Sequence, residues 1–270
     1  MTTMNKLLGT ACAAGLLSLL GACGGGGGDN AAAGVVTVPQ QQAGPPGTTV
    51  AGLYFGTASG GRTLDVLLMP TGQVYAMLGA GTGINSVFFG GGPVTASGFV
   101  SSSGGHLSTS SGNPLVAGEL SLIGLPRSSI SGTLAGTGAG FPATFTASYS
   151  TAFEGTANLA TLAGTYQGDS AGLGRVINAT VTVDAAGLIS GESPADGCAL
   201  SGSLTPNAAA NVLDLRITFG TNCPQRGTMT GHGVWRAAVG ATPAALTLLA
   251  SAGDSASAFA QGWVFFGARP

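Results

Sequence analysis

The sequence predicts an all-β protein: two tandem small antiparallel β-barrels, or sandwiches, carried behind an export signal and a tether rich in glycine and proline. Three observations predict it. Apolar and polar residues alternate with period two in segment after segment, the pattern of strands with one buried face. Clusters of turn-forming residues such as ASGGR, PTGQ and GATP punctuate those segments at hairpin spacing. The stretch that begins at Ala51 also recurs, diverged, at Ala163.

The N-terminal segment comes first. MTTMNK carries one cation, Lys6, and residues 7–22 are apolar or small throughout, the layout of an export signal. A transmembrane helix needs about 20 apolar residues. This run is shorter, and it stops against Gly24–Gly28, which cannot continue a helix. The junction Leu20-Gly21-Ala22-Cys23 resembles the lipobox of bacterial lipoprotein precursors. That resemblance implies that residues 1–22 are removed as a signal peptide and that Cys23 becomes the acylated N-terminus, carrying diacylglycerol and a palmitate-type chain. It also makes membrane lipid a partner. Gly24 stands where Asp would favour inner-membrane retention, so the expected location is the outer membrane, facing the periplasm or the cell surface.

Residues 23–50 read as the acylated N-terminus and a flexible linker, low in bulky apolar residues. A coil of this length spans roughly 30 Å, enough to clear the lipid headgroups.

A first β domain is expected over residues 51–156 and a second, its diverged repeat, over 157–270. In VINATVTVDA the residues Ile177, Ala179, Val181 and Val183 alternate with Asn178, Thr180, Thr182 and Asp184. In NVLDLRITFG the residues Leu213, Leu215, Ile217 and Phe219 alternate with Asp214, Arg216 and Thr218. GLYFGT, QVYAMLGA, FTASY, CALSGSLTP and GWVFFGA show shorter versions. Helical signal is confined to a turn at Thr156–Gly164. AGLYFGTASGGR aligns with AGTYQGDSAGLGR, placing Tyr54 over Tyr166, Gly56 over Gly168 and Arg62 over Arg175, and Gly72 and Gly187 end equivalent turns. Further on, ISGTL at Ile130 matches MTGHG at Met229, and FTASY matches LTLLAS. Short strands in units of this size must hide their edges, which a closed barrel does most fully. The arrangement resembles, in layout only, the paired small barrels of bacterial surface lipoproteins of the transferrin-binding and factor H-binding types. It implies a binding role and transfers no residue.

Composition narrows the function. The chain is 44% hydrophobic and only 7% charged, with a net charge of -2. Lys6 is the only lysine, so removing the signal leaves seven of the eight cations, all arginine, against ten acids. Nucleic acid as a partner is excluded by the lack of a basic stripe. His106 and His232 are the only histidines and lie outside any zinc-ligand spacing, and neither a phosphate loop nor a dinucleotide fingerprint is present. No metal and no cofactor are expected.

GDSAG, Gly168–Gly172, matches the nucleophile elbow of serine hydrolases, with His232 as the base available downstream of Ser170. A strand follows it where the elbow needs a helix, so the turn reading is preferred and a serine hydrolase is kept as the alternative. Tyr54, Arg62, Tyr166 and Arg175 are the candidate ligand contacts. Against this, the tyrosines suit a core, and the arginines suit surface pairs with Asp65 and Asp184. Cys198 opens CALSGSL, and Cys223 sits in the turn after the strand ending at Gly220. If those strands are antiparallel neighbours, the two thiols share an edge. In an oxidising compartment a disulfide is expected. The reading as a whole is a lipid-anchored envelope protein with a non-catalytic binding role, its ligand a protein or small molecule. A purely structural envelope component is the remaining alternative.

Overall fold

A computed structural model describes residues 48–80, 83–101, 103–108, 115–136, 141–172, 175–252 and 261–270. The signal, the lipobox with Cys23 and the tether before Thr48 lie outside the described residues.

The first half runs through β1 (Gly52–Ala58), β2 (Arg62–Leu68), β3 (Gln73–Ala80), β4 (Gly83–Gly91), β5 (Gly98–Val100), β6 (Ser103–Ser108), β7 (Val116–Gly124), β8 (Ser129–Gly136) and β9 (Ala143–Tyr149). All pairings are antiparallel: β1 to β4 pair in chain order, β4 meets β6, β5 and β6 both pair with β7, β7 pairs with β8, β8 with β9, and β9 returns to β1. Strands β5 and β6 lie along the same edge of β7. Gly98 faces Ile123 while Gly105 faces Ala117, a one-residue advance in register between the two pieces. They therefore act as a single bulged strand, and the sheet is an eight-stranded closed barrel.

A 3-10 turn at Thr151–Phe153 and a short helix α1 (Leu159–Leu162), N-capped by Asn158, join the halves. The second half comprises β10 (Gly164–Gly172), β11 (Arg175–Val183), β12 (Leu188–Ser193), β13 (Cys198–Pro206), β14 (Leu213–Phe219), β15 (Gly227–Arg236), β16 (Ala245–Ala252) and β17 (Gln261–Ala268). These close in simple chain order, β17 onto β10. Both halves are thus up-and-down barrels, as the sequence predicts, rather than sandwiches. The predicted alternation holds closely in β14, where Leu213, Leu215, Ile217 and Phe219 are buried between exposed neighbours.

The start of the repeat is structural as well as textual. Tyr54 and Tyr166 are both fully buried, and each hydroxyl donates to the carbonyl four residues back, of Val50 and Leu162. Two positions on, a Cβ at Gly56 would lie 2.0 Å from the Thr146 carbonyl oxygen, and one at Gly168 would lie 2.0 Å from that of Phe266. At both places the first strand meets the closing strand at a distance only glycine permits. Gly72 and Gly187 occupy matching turns with φ of 90° and 84°. The later correspondences fail by one strand. ISGTL lies in the seventh strand of its barrel and MTGHG in the sixth of the other, while FTASY lies in the eighth and LTLLAS in the seventh. Glycine-rich segments match one another in any register, and no bulky residue anchored that part of the alignment.

Apolar side chains fill both barrels. Leu64, Val66, Leu68, Phe88, Leu120 and Leu134 belong to the first core. Val181, Leu204, Ile217, Leu248, Trp263 and Phe265 belong to the second. A third cluster joins the outer walls: Leu53, Leu67, Met77, Val87 and Phe89 from one barrel meet Val234, Leu249 and Val264 from the other. Among the described residues no strand of one half pairs into the sheet of the other, yet the barrels share this apolar seam within one compact unit.

The predicted disulfide is present. Cys198 at the head of β13 bonds Cys223 beyond the end of β14, with Cα atoms 4.5 Å apart, because β13 and β14 are antiparallel neighbours. In the chain-entropy account, closing a loop of this length stabilises the second barrel by about 3 kcal/mol. On the other side of that barrel Arg269 clamps the linker. Its guanidinium donates to the carbonyls of Thr161, Leu162 and Ala163 and to the Tyr166 hydroxyl, 5.3 Å above the Tyr166 ring.

Candidate functional site

The four candidate ligand contacts do not converge. Tyr54 and Tyr166 stand inside separate barrels, each committed to a backbone carbonyl and neither facing a groove. Burial beside Tyr149 pushes the Tyr54 phenol up to about 12, which keeps it a neutral donor. Arg62 is exposed and donates to the Ser59 carbonyl. Arg175 pairs with Asp196 at 3.4 Å. The expected partners are otherwise engaged: Asp65 meets Arg236 of the second barrel at 3.6 Å, and Asp184 accepts from the amides of Ala186 and Leu188 at 2.8 Å. Sequence distance misleads here because a neighbour in the chain can face the opposite side of the wall.

The hydrolase pair is likewise separated. Ser170 lies within the regular strand β10, its Oγ accepting the Trp263 indole N–H at 2.8 Å inside the second barrel. His232 lies on the outer wall in the seam. Its Nδ1 accepts the Tyr75 hydroxyl at 3.0 Å, and its Nε2 lies 3.4 Å from Asp214 Oδ1. Because the Asp214 carboxylate can only accept, the proton of the neutral ring sits on Nε2, and Nδ1 accepts from Tyr75. Burial lowers the His232 pKa to about 4, against the opposing pull of Asp214, so the ring is neutral at pH 7 and links the two barrels through its hydrogen bond with Tyr75. Among the described residues, no three His, Cys, Asp or Glu side chains gather as metal ligands would.

Two depressions among the described residues bear on function. One lies beside the seam, about 530 Å³, and includes Asp65, Met77, Ile84, Arg236, Pro243 and Phe266 in its lining. Its two charged groups face one another, and Arg236 is further held over the rings of Phe55 and Phe266 at 5.4 and 5.8 Å. The cation is largely spent on the protein itself.

The other is a groove of about 810 Å³ across the outer wall of the first barrel, over β1, β9, β8 and β7. Register defines its floor. Phe55 faces Ser148, which faces Ser129. One rung further, Thr57 faces Thr146, Thr146 faces Ser131, and Ser131 faces Ile123. These residues alternate with Tyr54, Ala147, Ile130 and Leu122, which point into the core, so the hydroxyls must point outward. Ile123 and Leu125, 69% and 67% exposed, form an apolar rim. Among the described residues, no charged residue lines the groove. On other parts of the outer walls three facing pairs of hydroxyls bond to each other, Ser121 with Thr133, Thr165 with Thr182 and Thr218 with Thr228, at 2.9 to 3.0 Å, while Ser190 faces Ser201 and Thr230 faces Ser251 without such a bond. In the groove, Thr57, Ser129, Ser131, Thr146 and Ser148 make no side-chain hydrogen bond to the described residues.

Sequence reasoning missed this groove because hydroxyls on the polar face of a strand look like ordinary solvent contacts. The available signal was TFTASYS beside SISGTL, outward positions without a single charge. Compared with known proteins, the chain matches no family, no curated protein and no solved structure.

Proposed function

We propose that this protein is a lipid-anchored outer-membrane lipoprotein that binds a ligand without transforming it. The observation that carries the anchor is Leu20-Gly21-Ala22-Cys23 at the end of an apolar run and ahead of a glycine tract. Two acyl chains suffice for stable anchoring. The uncharged groove on the first barrel supports a binding role, because its hydroxyls are exposed and unspent. The separation of Ser170 from His232, one inside a barrel and one in the seam, weighs against acyl transfer.

Intact mass measurement of the membrane-extracted protein tests the anchor. The expected product begins at Cys23 and carries the mass of a diacylglyceryl group, with or without a third acyl chain, and density fractionation places it with the outer membrane. Cys23→Ser is expected to accumulate unprocessed or to leave the membrane. A mature chain that begins elsewhere and lacks acyl mass would overturn the reading.

A further inference from the structure

We infer that the groove over β1, β9, β8 and β7 is a binding site for a neutral oligosaccharide. The inference deepens the binding role proposed above and rests on it.

The chemistry of the lining selects the ligand class. With no charge in the lining, an ionised ligand would lose hydration and find no counter-charge. A hydroxyl both donates and accepts, so Thr57, Thr146, Ser131, Ser148 and Ser129 can satisfy ligand hydroxyls in either sense. Their positions form a lattice: adjacent strands are about 4.8 Å apart, and alternate residues along a strand about 6.8 Å. An extended sugar chain presents hydroxyls at comparable intervals along one side. Its C–H faces need apolar contacts, which Phe55 offers at one end of the rungs and Ile123 with Leu125 at the other.

A peptide strand fits less well. The four strands beneath the groove are hydrogen-bonded on both sides by the closed barrel, leaving no backbone edge for strand addition. Recognition falls to the side-chain hydroxyls. Among the described residues those hydroxyls have no side-chain partner in the protein, so a ligand would not have to break an existing bond to use them.

The test uses the full mature chain, extracted in a detergent without sugar headgroups. Calorimetric titration with maltohexaose, cellohexaose and chitohexaose is the direct probe, with hexagalacturonate as the charged comparison. At least one neutral hexamer is expected to bind, and hexagalacturonate to bind more weakly. The double variant Thr57→Val, Thr146→Val keeps the shape of the wall and removes two hydroxyls, so affinity should fall at least about tenfold. Thr165→Val, on a hydroxyl already paired with Thr182, should leave affinity unchanged, and melting curves of all variants verify folding. Binding by none of the neutral hexamers would overturn the proposal. So would equal binding by the folded double variant, or a preference for the charged hexamer. The acyl mass on the same sample reports the anchor separately, so an unlipidated chain that binds sugar, or a lipidated one that does not, tells which reading has failed.

Discussion

The two histidines show how one residue type is put to different use by its surroundings. His106 is buried inside the first barrel, edge-on to Phe141 at 3.8 Å between ring centres and near Phe88, and its Nε2 has no partner. His232 is buried in the seam between Tyr75 and Asp214. Burial lowers both pKa values to about 4, below the usual 6.5 of an unfolded chain. Between those values the unfolded state binds protons that the folded state refuses. Stability is therefore complete above about pH 6.5 and falls as pH drops toward 4, by on the order of 2 to 3 kcal/mol per histidine. Asp65, whose carboxyl is raised by burial against the pull of Arg236, opposes this trend in the acid range. Thermal melts at pH 7, 6, 5 and 4.5 should show a falling Tm, and His106→Phe should flatten part of the fall. A Tm constant from pH 7 to 4.5 would mean that the rings are solvated. Neither role was legible in the sequence, where a histidine beside glycine looks the same on either side of a wall.

At the level of strands, much was legible and the omissions follow one rule. Period-two segments such as β11 and β14 were read correctly because one of their faces meets water. VLLM, VYAML, VFF and WVFF are apolar without interruption, the mark of a strand covered on both faces. They form the seam: Leu67, Met77, Val87, Phe89 and Val264 point away from their own barrel into the other. Read as ordinary half-buried strands, they gave no warning that the barrels adhere. Gly56 and Gly168 sit where the first and last strands cross within contact distance, each two residues after a buried tyrosine. Replacing Gly168 with Ala should force the Phe266 backbone away and cost about 2 to 3 kcal/mol. Gly56→Ala should do the same to the other barrel. Chemical denaturation measures both, and a change below the error of the method would show that the closing strand yields freely.

Taken whole, the molecule has two closed sheets and a shared dry boundary, which sets what happens when the parts are divided. Residues 157–270 contain a complete barrel with its disulfide and the Arg269 clamp. Expressed alone, they should give a β-type circular dichroism spectrum and a cooperative melt. Without its neighbour, that barrel presents Val234, Leu249 and Val264 to solvent, and such a patch promotes association. Sedimentation should therefore show self-association of the fragment, relieved by Leu249→Ser with Val264→Thr. A monomeric fragment would mean that the seam contributes little, and an unfolded one that the halves are not independent. The order of the strands along the chain adds a temporal consequence. Because the first sheet is sealed by β9 and the second only by β17, a polypeptide delivered N-terminus first can complete one barrel while its sister is still incomplete. During that interval Met77, Val87 and Phe89 have nothing to lie against. This is the period of greatest adhesiveness in the life of the molecule, and the one in which an escorting chaperone would find the most surface to hold.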